Sequence, residues 1–496
     1  DRQRRWCSMS GSGPIPTSAG SSGALASDLR TIWYMGAKTR LCAEFIEGAV
    51  ADLLPPGGTL VDLCAGTSAV ARTFAPRHRV IANDVQRFSS TIARAHLEGS
   101  PAWVEELERL DPDADLGAAV ESNRAALERL APLALEAERT LLPGVIEELS
   151  AHPEHTPRAE EYRSFVAATP PPLTDPEAIA ESVRRPEDGR ADLRFAPLAE
   201  AMPGLLRQRR LDPTIAPYAL ITAYSANVYF GLEQAIAIDS FRAAIDAIPE
   251  RAPHREAKRA LYLAALVQAA SVSTSGTSHF AQPRGIGRDA ELLAVARRRS
   301  IEIDVEFHLA LDAIRREWST FPRLGGNRVH SMPAEALLAP DGPLAGEEVG
   351  LVYFDPPYTA DNYSRFYHLL ETLVSYDYPE LAMRGGALTR GRYPVGEKRF
   401  QSPFCSAESV EDAFRGVISR TRELGANLLI SYAGDQGLLM QRFARQGHEN
   451  PVARFRELCR EYYPSVEIRE RELMHSGQGD SNRAARELLV LCERTS

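Results

Sequence analysis

The sequence predicts an α/β protein: a mostly parallel sheet with antiparallel closing strands, interrupted by a large and mainly helical insertion. Three observations predict it. Short apolar runs that end in polar or acidic residues alternate with helical stretches near both ends of the chain. Residues 97–324 between them read as helices with no clear strand pair. A parallel crossover normally needs a dozen or more residues, so the long step from 84 to 328 is an insertion rather than a connection, and a structureless loop of that length is implausible.

Each element follows from its own residues. Residues 1–28, with MSGSGPIPTSAGSSGALAS, are rich in Gly, Ser and Pro and lack an apolar core; they read as a flexible leader, not a secretory signal. TLVDLC at 59–64 follows the Pro-Pro-Gly-Gly breaker at 55–58 and reads as a buried strand. AVARTFA follows as a helix and RVIAND at 79–84 as a second strand, completing a β-α-β unit. Within the insertion, 117–150 spaces its apolar residues helically and 151–215 is Pro-rich and irregular. Further helices cover 217–248 and 255–272, a polar loop covers 273–288, and one long helix spans 289–318. Strands resume with RVHSM at 328–332, GLVYFD at 350–355 and NLLISYA at 427–433. Segments 467–475 and 485–493 alternate as a closing antiparallel pair. The division is thus 29–96 plus 325–496 as one α/β unit, with 97–324 inserted.

Hydrophobic content of 44% with 25% charge is that of an ordinary globular chain. No apolar run approaches the roughly 20 residues of a membrane span, so no membrane partner is expected. A net charge of −10 argues against general adhesion to polyanions, and a nucleic-acid partner would need a locally basic face. The six cysteines, at 7, 42, 64, 405, 459 and 492, include no C-x-x-C pair. Neither a metal site nor a disulfide framework is indicated, and the thiols fit the cytoplasm.

The chemistry concentrates at VYFDPPYTADNY, residues 352–363. Asp355 stands at the C-terminal end of a strand, the edge where open α/β sheets bind ligands. Pro356 and Pro357 hold the backbone extended and fix the directions of the Asp355 carboxylate and the Pro356 carbonyl. Two such acceptors can receive both hydrogens of an amino group on a planar substrate, and Tyr358 can offer a stacking face. That grip suits methyl transfer to an exocyclic amine, because it localises a lone pair otherwise delocalised into the ring. The plainer alternative is a Pro-Pro turn with Asp355 capping the next helix. Upstream, LVDLCAGTSAV at 60–70 places a small-residue turn at Gly66 after an acidic strand end, suited to close backbone approach to a cofactor. Asp84 is placed either to receive ribose hydroxyls or to cap a helix.

YMGAKTRL, DLCAGTSAV, Asn83-Asp84 and VYFDPPY, in that order, resemble the motifs of the Dam-like, alpha-group DNA adenine-N6 methyltransferases. The resemblance implies a Rossmann-like methyltransferase sheet, S-adenosyl-L-methionine as cofactor and double-stranded DNA as partner. It implies that Tyr34, Gly36 and Lys38 help hold the cofactor, that Asp62, Ala65 and Gly66 form its turn and that Asp84 binds its ribose. Ser331 stands where the family often has an aspartate near the cofactor's adenine. Asp355, Pro356 and Tyr358 would hold the flipped adenine, with Asp355 also bordering the cofactor and Pro357 stiffening the loop. The chain departs from the family at Ser68, where a glycine is usual, and at Cys64, where an aromatic is usual.

Two segments are candidates for DNA contact. TRGRYPVGEKRFQSPF at 389–404 carries Arg390, Arg392, Lys398 and Arg399 with Tyr393 and Phe400 interleaved, a mixture suited to phosphate contact and stacking. STSGTSHFAQPRGIGR at 273–288 offers His279, Arg284 and Arg288. Arg297, Arg298 and Arg299 read as a solvated helix face, and Tyr224, Tyr229 and Phe230 as core, with Asn227 able to face substrate. The function expected is site-specific adenine-N6 methylation of DNA, a natural modification component, with partner subunits, of a restriction or phage-defence system. The alternatives are methylation of RNA or of cytosine N4, and a nucleic-acid-binding subunit that has lost cofactor binding.

Overall fold

The computed structural model describes residues 42–152, 156–182, 192–277, 279–396, 400–434, 436–476 and 482–495. The strands among them are β1 (Thr59–Asp62), β2 (Arg79–Asn83), β3 (Gly276–Thr277), β4 (His279–Pro283), β5 (Arg328–His330), β6 (Leu351–Phe354), β7 (Met383–Arg384), β8 (Ala387–Leu388), β9 (Asn427–Ala433), β10 (Ser465–Ser476) and β11 (Asn482–Glu493). Seven of them form one sheet in the order β10-β11-β9-β6-β1-β2-β5. β5, β2, β1, β6 and β9 pair in parallel, and β11 joins β9 and β10 antiparallel. The expected mostly parallel sheet with an antiparallel closing pair is therefore present, compatible with a Rossmann-like fold. Among sheet strands the parallel part runs third, second, first, fourth, fifth, so the chain reverses direction across the sheet between β1 and β6.

The central strands are short and apolar because both faces are covered. Leu60, Val80, Leu351, Tyr353, Leu429 and Leu489 pack under helices Glu47–Leu53, Ala69–Phe74 and Arg87–Leu97. Val61, Ile81, Val352, Phe354, Ile430 and Val490 pack under helices Val410–Glu423, Leu438–Arg445 and Pro451–Arg460. β1 starts after Gly57, whose φ of +81° supplies a turn that an L side chain rarely adopts.

A third core gathers the helices between β2 and β5. Several differ from the sequence reading, each for a physical reason. Residues 151–215 are not irregular: described helices start at Pro157, Pro176 and Ala196. Proline at the first turn loses no bond, since that N–H has no helical acceptor, and its fixed φ favours the start. The 217–248 helix is two, Leu220–Ser225 and Leu232–Asp246, parted where Asn227 turns left-handed at φ +57°. The 289–318 helix is also two, Asp289–Arg299 and Ile303–Thr320. Gln234 Nε2 donates to the carbonyls of Arg298 (2.9 Å) and Ile301 (2.7 Å), so a neighbouring helix satisfies the acceptors at the break. The 273–288 loop contains the hairpin β3–β4.

This helical core is tied to the sheet at two places. Phe366–Leu381, downstream of β6, contributes Tyr367, Leu370, Tyr376 and Tyr378 to it. There Tyr376 donates to the buried Asp239 (2.6 Å), which also accepts from the Ile221 and Thr222 amides. The second tie is an ion cluster: Glu317 takes Arg72, from the helix after β1, and Arg323, with His96 Nδ1 at 3.1 Å. Burial works against the Glu317 charge, but Arg72 and then His96 hold its carboxyl well below the usual range.

Candidate functional site

Three carboxylates converge at the C-terminal ends of β1, β2 and β6, beside the point where strand order reverses. Asp62 ends β1, and its Oδ2 accepts from the Ala71 amide (3.1 Å). Its Oδ1 is buried with no hydrogen-bond partner among the described residues. Burial, then the Asp355 charge, pushes the Asp62 carboxyl up to about 8, against the Ala71 bond and with a further push from Asp84. Asp84, just past β2, accepts from the Gly66 amide at Oδ2 (2.9 Å) and the Gln86 amide at Oδ1 (2.8 Å). Burial still raises it to about 6. Asp84 therefore shapes the Gly66 turn and does not cap the next helix, Arg87–Leu97, whose N-cap is Gln86 with no side-chain cap bond.

The turn itself is tightly set. The Ala65 amide donates to the Asn83 carbonyl (2.8 Å), Gly66 has φ +52° and Ser68 has φ +60°. Asn83 Nδ2 donates to the carbonyls of Leu63 and Met332, both at 3.1 Å, which brings the half-buried Ser331 beside the exit of β1. A cluster of carboxyls with an unsatisfied buried oxygen fits a ligand that brings donors and positive charge, as S-adenosylmethionine does. Tyr34, Gly36 and Lys38 lie outside the described residues.

At the end of β6, Asp355 is half-buried, Pro356 buried, and Pro357 and Tyr358 half-buried. The loop is anchored by the Leu438 amide, which donates to the Tyr358 carbonyl (2.8 Å). Tyr358 differs from the simple stacking role. Its ring meets Tyr432 edge-on at 5.1 Å, and its hydroxyl lies 2.7 Å from Asp355 Oδ1. The same hydroxyl lies 2.7 Å from Oε1 of Glu487, a buried carboxylate on β11 that also accepts from Ser431. A hydroxyl has one proton, so Tyr358 can donate to only one of these carboxyls at a time and couples the two. Burial, then the Asp355 and Glu487 charges, raises the Tyr358 hydroxyl well above its usual range, so it stays protonated. The sequence reading missed Glu487 and Ser431. The available signal was an acidic residue, Glu487, directly ahead of the apolar stretch LLVLC of a closing strand.

The basic candidates separate. Arg284, Arg390 and Arg392, drawn from two segments, line one cavity of about 290 Å³. Arg299 lines it too: it is buried, which overturns its reading as part of a solvated face. Asn227 is buried there and accepts from Arg299 Nη1 (3.1 Å). Arg288 is exposed and paired with Glu291. His279 lies on β4, with its side chain outside the described set; Lys398 and Arg399 are outside the described residues. Tyr393 is no open stacking platform, because its hydroxyl donates to the Ala281 carbonyl and its ring meets His368 at 5.0 Å. Tyr224, Tyr229 and Phe230 are core.

Among the described residues no helix is long and apolar enough to cross a membrane. No family model and no solved structure matches the chain. Over 91 residues it is 35% identical to the Type II methyltransferase M.FokI of Planomicrobium okeanokoites, a stretch that is 18% of this chain and 12% of that protein.

Proposed function

We propose that this chain is an S-adenosylmethionine-dependent methyltransferase acting on the N6 amino group of adenine in double-stranded DNA. The observation that carries the reading is the position of Asp355-Pro356-Pro357-Tyr358 at the sheet's reversal point, next to the Asp62 and Asp84 carboxyls and an orphaned Asp62 oxygen. The stretch of likeness to a Type II methyltransferase supports the reaction class. The likeness spans a small part of that protein, so the base and the cofactor are proposals that rest on the site.

Bound S-adenosylmethionine supplies an electrophilic methyl group. Asp62 and the Gly66 turn would hold it, with Asp84 at the ribose and Ser331 near its adenine. The remaining work belongs to the chain. The extruded base is received by the Asp355 carboxylate and the Pro356 carbonyl, which accept the two amino hydrogens and turn the nitrogen lone pair out of the ring. With a methyl group delivered to that nitrogen, Asp355 would stabilise the positive charge growing there. One amino proton must then leave, and Asp355 is the adjacent acceptor. Tyr358, steered by Glu487, sets where that carboxylate points.

The test is to incubate the full chain with plasmid DNA and methyl-labelled cofactor, digest the DNA and identify the labelled nucleoside. N6-methyldeoxyadenosine is expected. Asp355→Ala should lower the rate by about 10²–10³-fold, the usual loss for a charge-stabilising group, with cofactor affinity by calorimetry within a few-fold. Label in cytosine, or only in RNA, would replace the adenine reading; wild-type rate in Asp355→Ala would remove the acceptor assignment.

A further inference from the structure

We infer that the cavity between the β3–β4 hairpin and the turn after β8 is a socket for one phosphodiester of the DNA backbone; the DNA occupant rests on the function proposed above. Four arginines converge on it from three parts of the chain: Arg284, Arg299, Arg390 and Arg392. They are graded by depth. Arg284 and Arg390 are exposed at the mouth, Arg392 is half-buried and Arg299 is 4% exposed at the floor.

Their counter-charges are few. Arg299 Nη1 donates to two neutral oxygens, Tyr162 Oη and Asn227 Oδ1, each at 3.1 Å. Arg299 Nε and Arg392 Nη1 are buried without a hydrogen-bond partner among the described residues. Burial lowers the Arg392 guanidinium to about 10, so it is still charged at neutral pH. Among the described residues two carboxylates act on these arginines, Glu138 on Arg299 and Glu291 on Arg284 and Arg390, and both also hold other partners. Glu138 faces Arg299 electrostatically but spends its oxygens on the Leu232 and Glu233 amides, at 2.8 Å each. Glu291 at the rim is paired with Arg288. Buried, charged donors without partners are strongly unfavourable unless something satisfies them.

The site is built before any ligand arrives. Arg392 is held at φ +52°, a conformation uncommon outside glycine and asparagine. Its amide donates to the Thr389 carbonyl (2.9 Å), and the Tyr229 hydroxyl lies between the Phe280 carbonyl (2.7 Å) and the adjoining Gly391 carbonyl (3.2 Å). Strained backbone that its surroundings fix in place is characteristic of ligand clamps. Planar guanidinium forks match phosphate oxygens in pairs, while Val228 and Ile286 give an apolar wall for a sugar. The cavity sits at the lower end of the range for small-ligand sites, about 300–1,000 Å³, which suits one phosphodiester and its sugar. It also borders the helix His368–Ser375, downstream of the Asp355 loop. His368, on the helix downstream of that loop, lies 3.1 Å from the Phe280 carbonyl of the hairpin and packs on Tyr393. An acidic chain thereby gains the local basic spot it needs.

The test uses the full chain with a fluorescent duplex, its binding followed by anisotropy across a sodium chloride series. Arg392→Gln and, as an exposed variant that spares the core, Arg390→Gln should each weaken binding about tenfold. Each should also reduce the slope of log affinity against log salt by about 1, the effect of one lost phosphate contact. Arg109→Gln, exposed on a distant helix, should change neither. A second arm compares melting in millimolar inorganic phosphate with chloride at equal ionic strength; phosphate should protect wild type and not Arg392→Gln. Phosphate protection without duplex binding would keep the anion socket and overturn its DNA occupant. An unchanged salt slope together with no phosphate effect would overturn the socket itself.

Discussion

Ser68 occupies a position that asks for glycine: its φ is +60°, and its hydroxyl is buried with no partner among the described residues. Both features oppose folding, so Ser68→Gly should raise stability by about 1–2 kcal/mol, read by urea denaturation. Glu487 presents the opposite case, a buried residue whose Oε1 lies within hydrogen-bond reach of both Tyr358 and Ser431. Glu487→Leu removes an acceptor from both Tyr358 and Ser431 and should lower kcat for methylation by about tenfold or more, the loss of a charged hydrogen bond. KM for DNA and for the cofactor should move less, and Glu487→Gln should recover most of the rate. A loss confined to KM would make Glu487 merely structural. Asp62, Asp84 and Asp355 were legible in the sequence because each closes an apolar run, where a carboxylate has no packing role. Glu487 was not, because its partner Tyr358 stands 129 positions away and only the folded sheet brings them together.

At the level of elements, apolar runs identified the central strands because burial on both faces leaves no alternation to confuse them. Helix boundaries between β2 and β5 were less legible. Pro157 and Pro176 read as breakers, yet each opens a helix, and the break at residues 300–302 depends on Gln234 from another helix. Local sequence does not encode such contacts. The same holds for the join between helices Ala69–Phe74 and Ile303–Thr320, which rests on Glu317 between Arg72 and Arg323. Glu317→Ala leaves two buried guanidinium groups without their carboxylate and should cost about 3–5 kcal/mol in chemical denaturation. The helix after the Gly66 turn is one partner in that join, so cofactor affinity should fall along with stability.

Across the whole molecule, buried carboxyls set a pH window. Asp62 is raised to about 8, and Asp84 and Asp239 to about 6, so between pH 4 and 8 these carboxyls hold more protons folded than unfolded, while His96, lowered to about 4 by burial, opposes them below pH 6.5. Stability therefore falls as pH rises through that range. Glu317 acts in the other direction, its contribution present above pH 4.5 and lost in acid. Melting temperature should peak in mild acid and decline towards pH 8, and Asp62→Asn should flatten the decline; an equally steep fall in that variant would mean Asp62 does not titrate there. The sheet carries a different consequence, one of timing. Asn83 reaches Met332, 249 positions further along the chain, and β2 gains its outer neighbour only from that later segment. At about 5–20 residues per second of synthesis, β1 and β2 wait tens of seconds on the ribosome before their partners emerge. For that interval a nascent chain displays an unpaired apolar edge, which makes it a natural client for a chaperone and sensitive to codon choice in the stretch between.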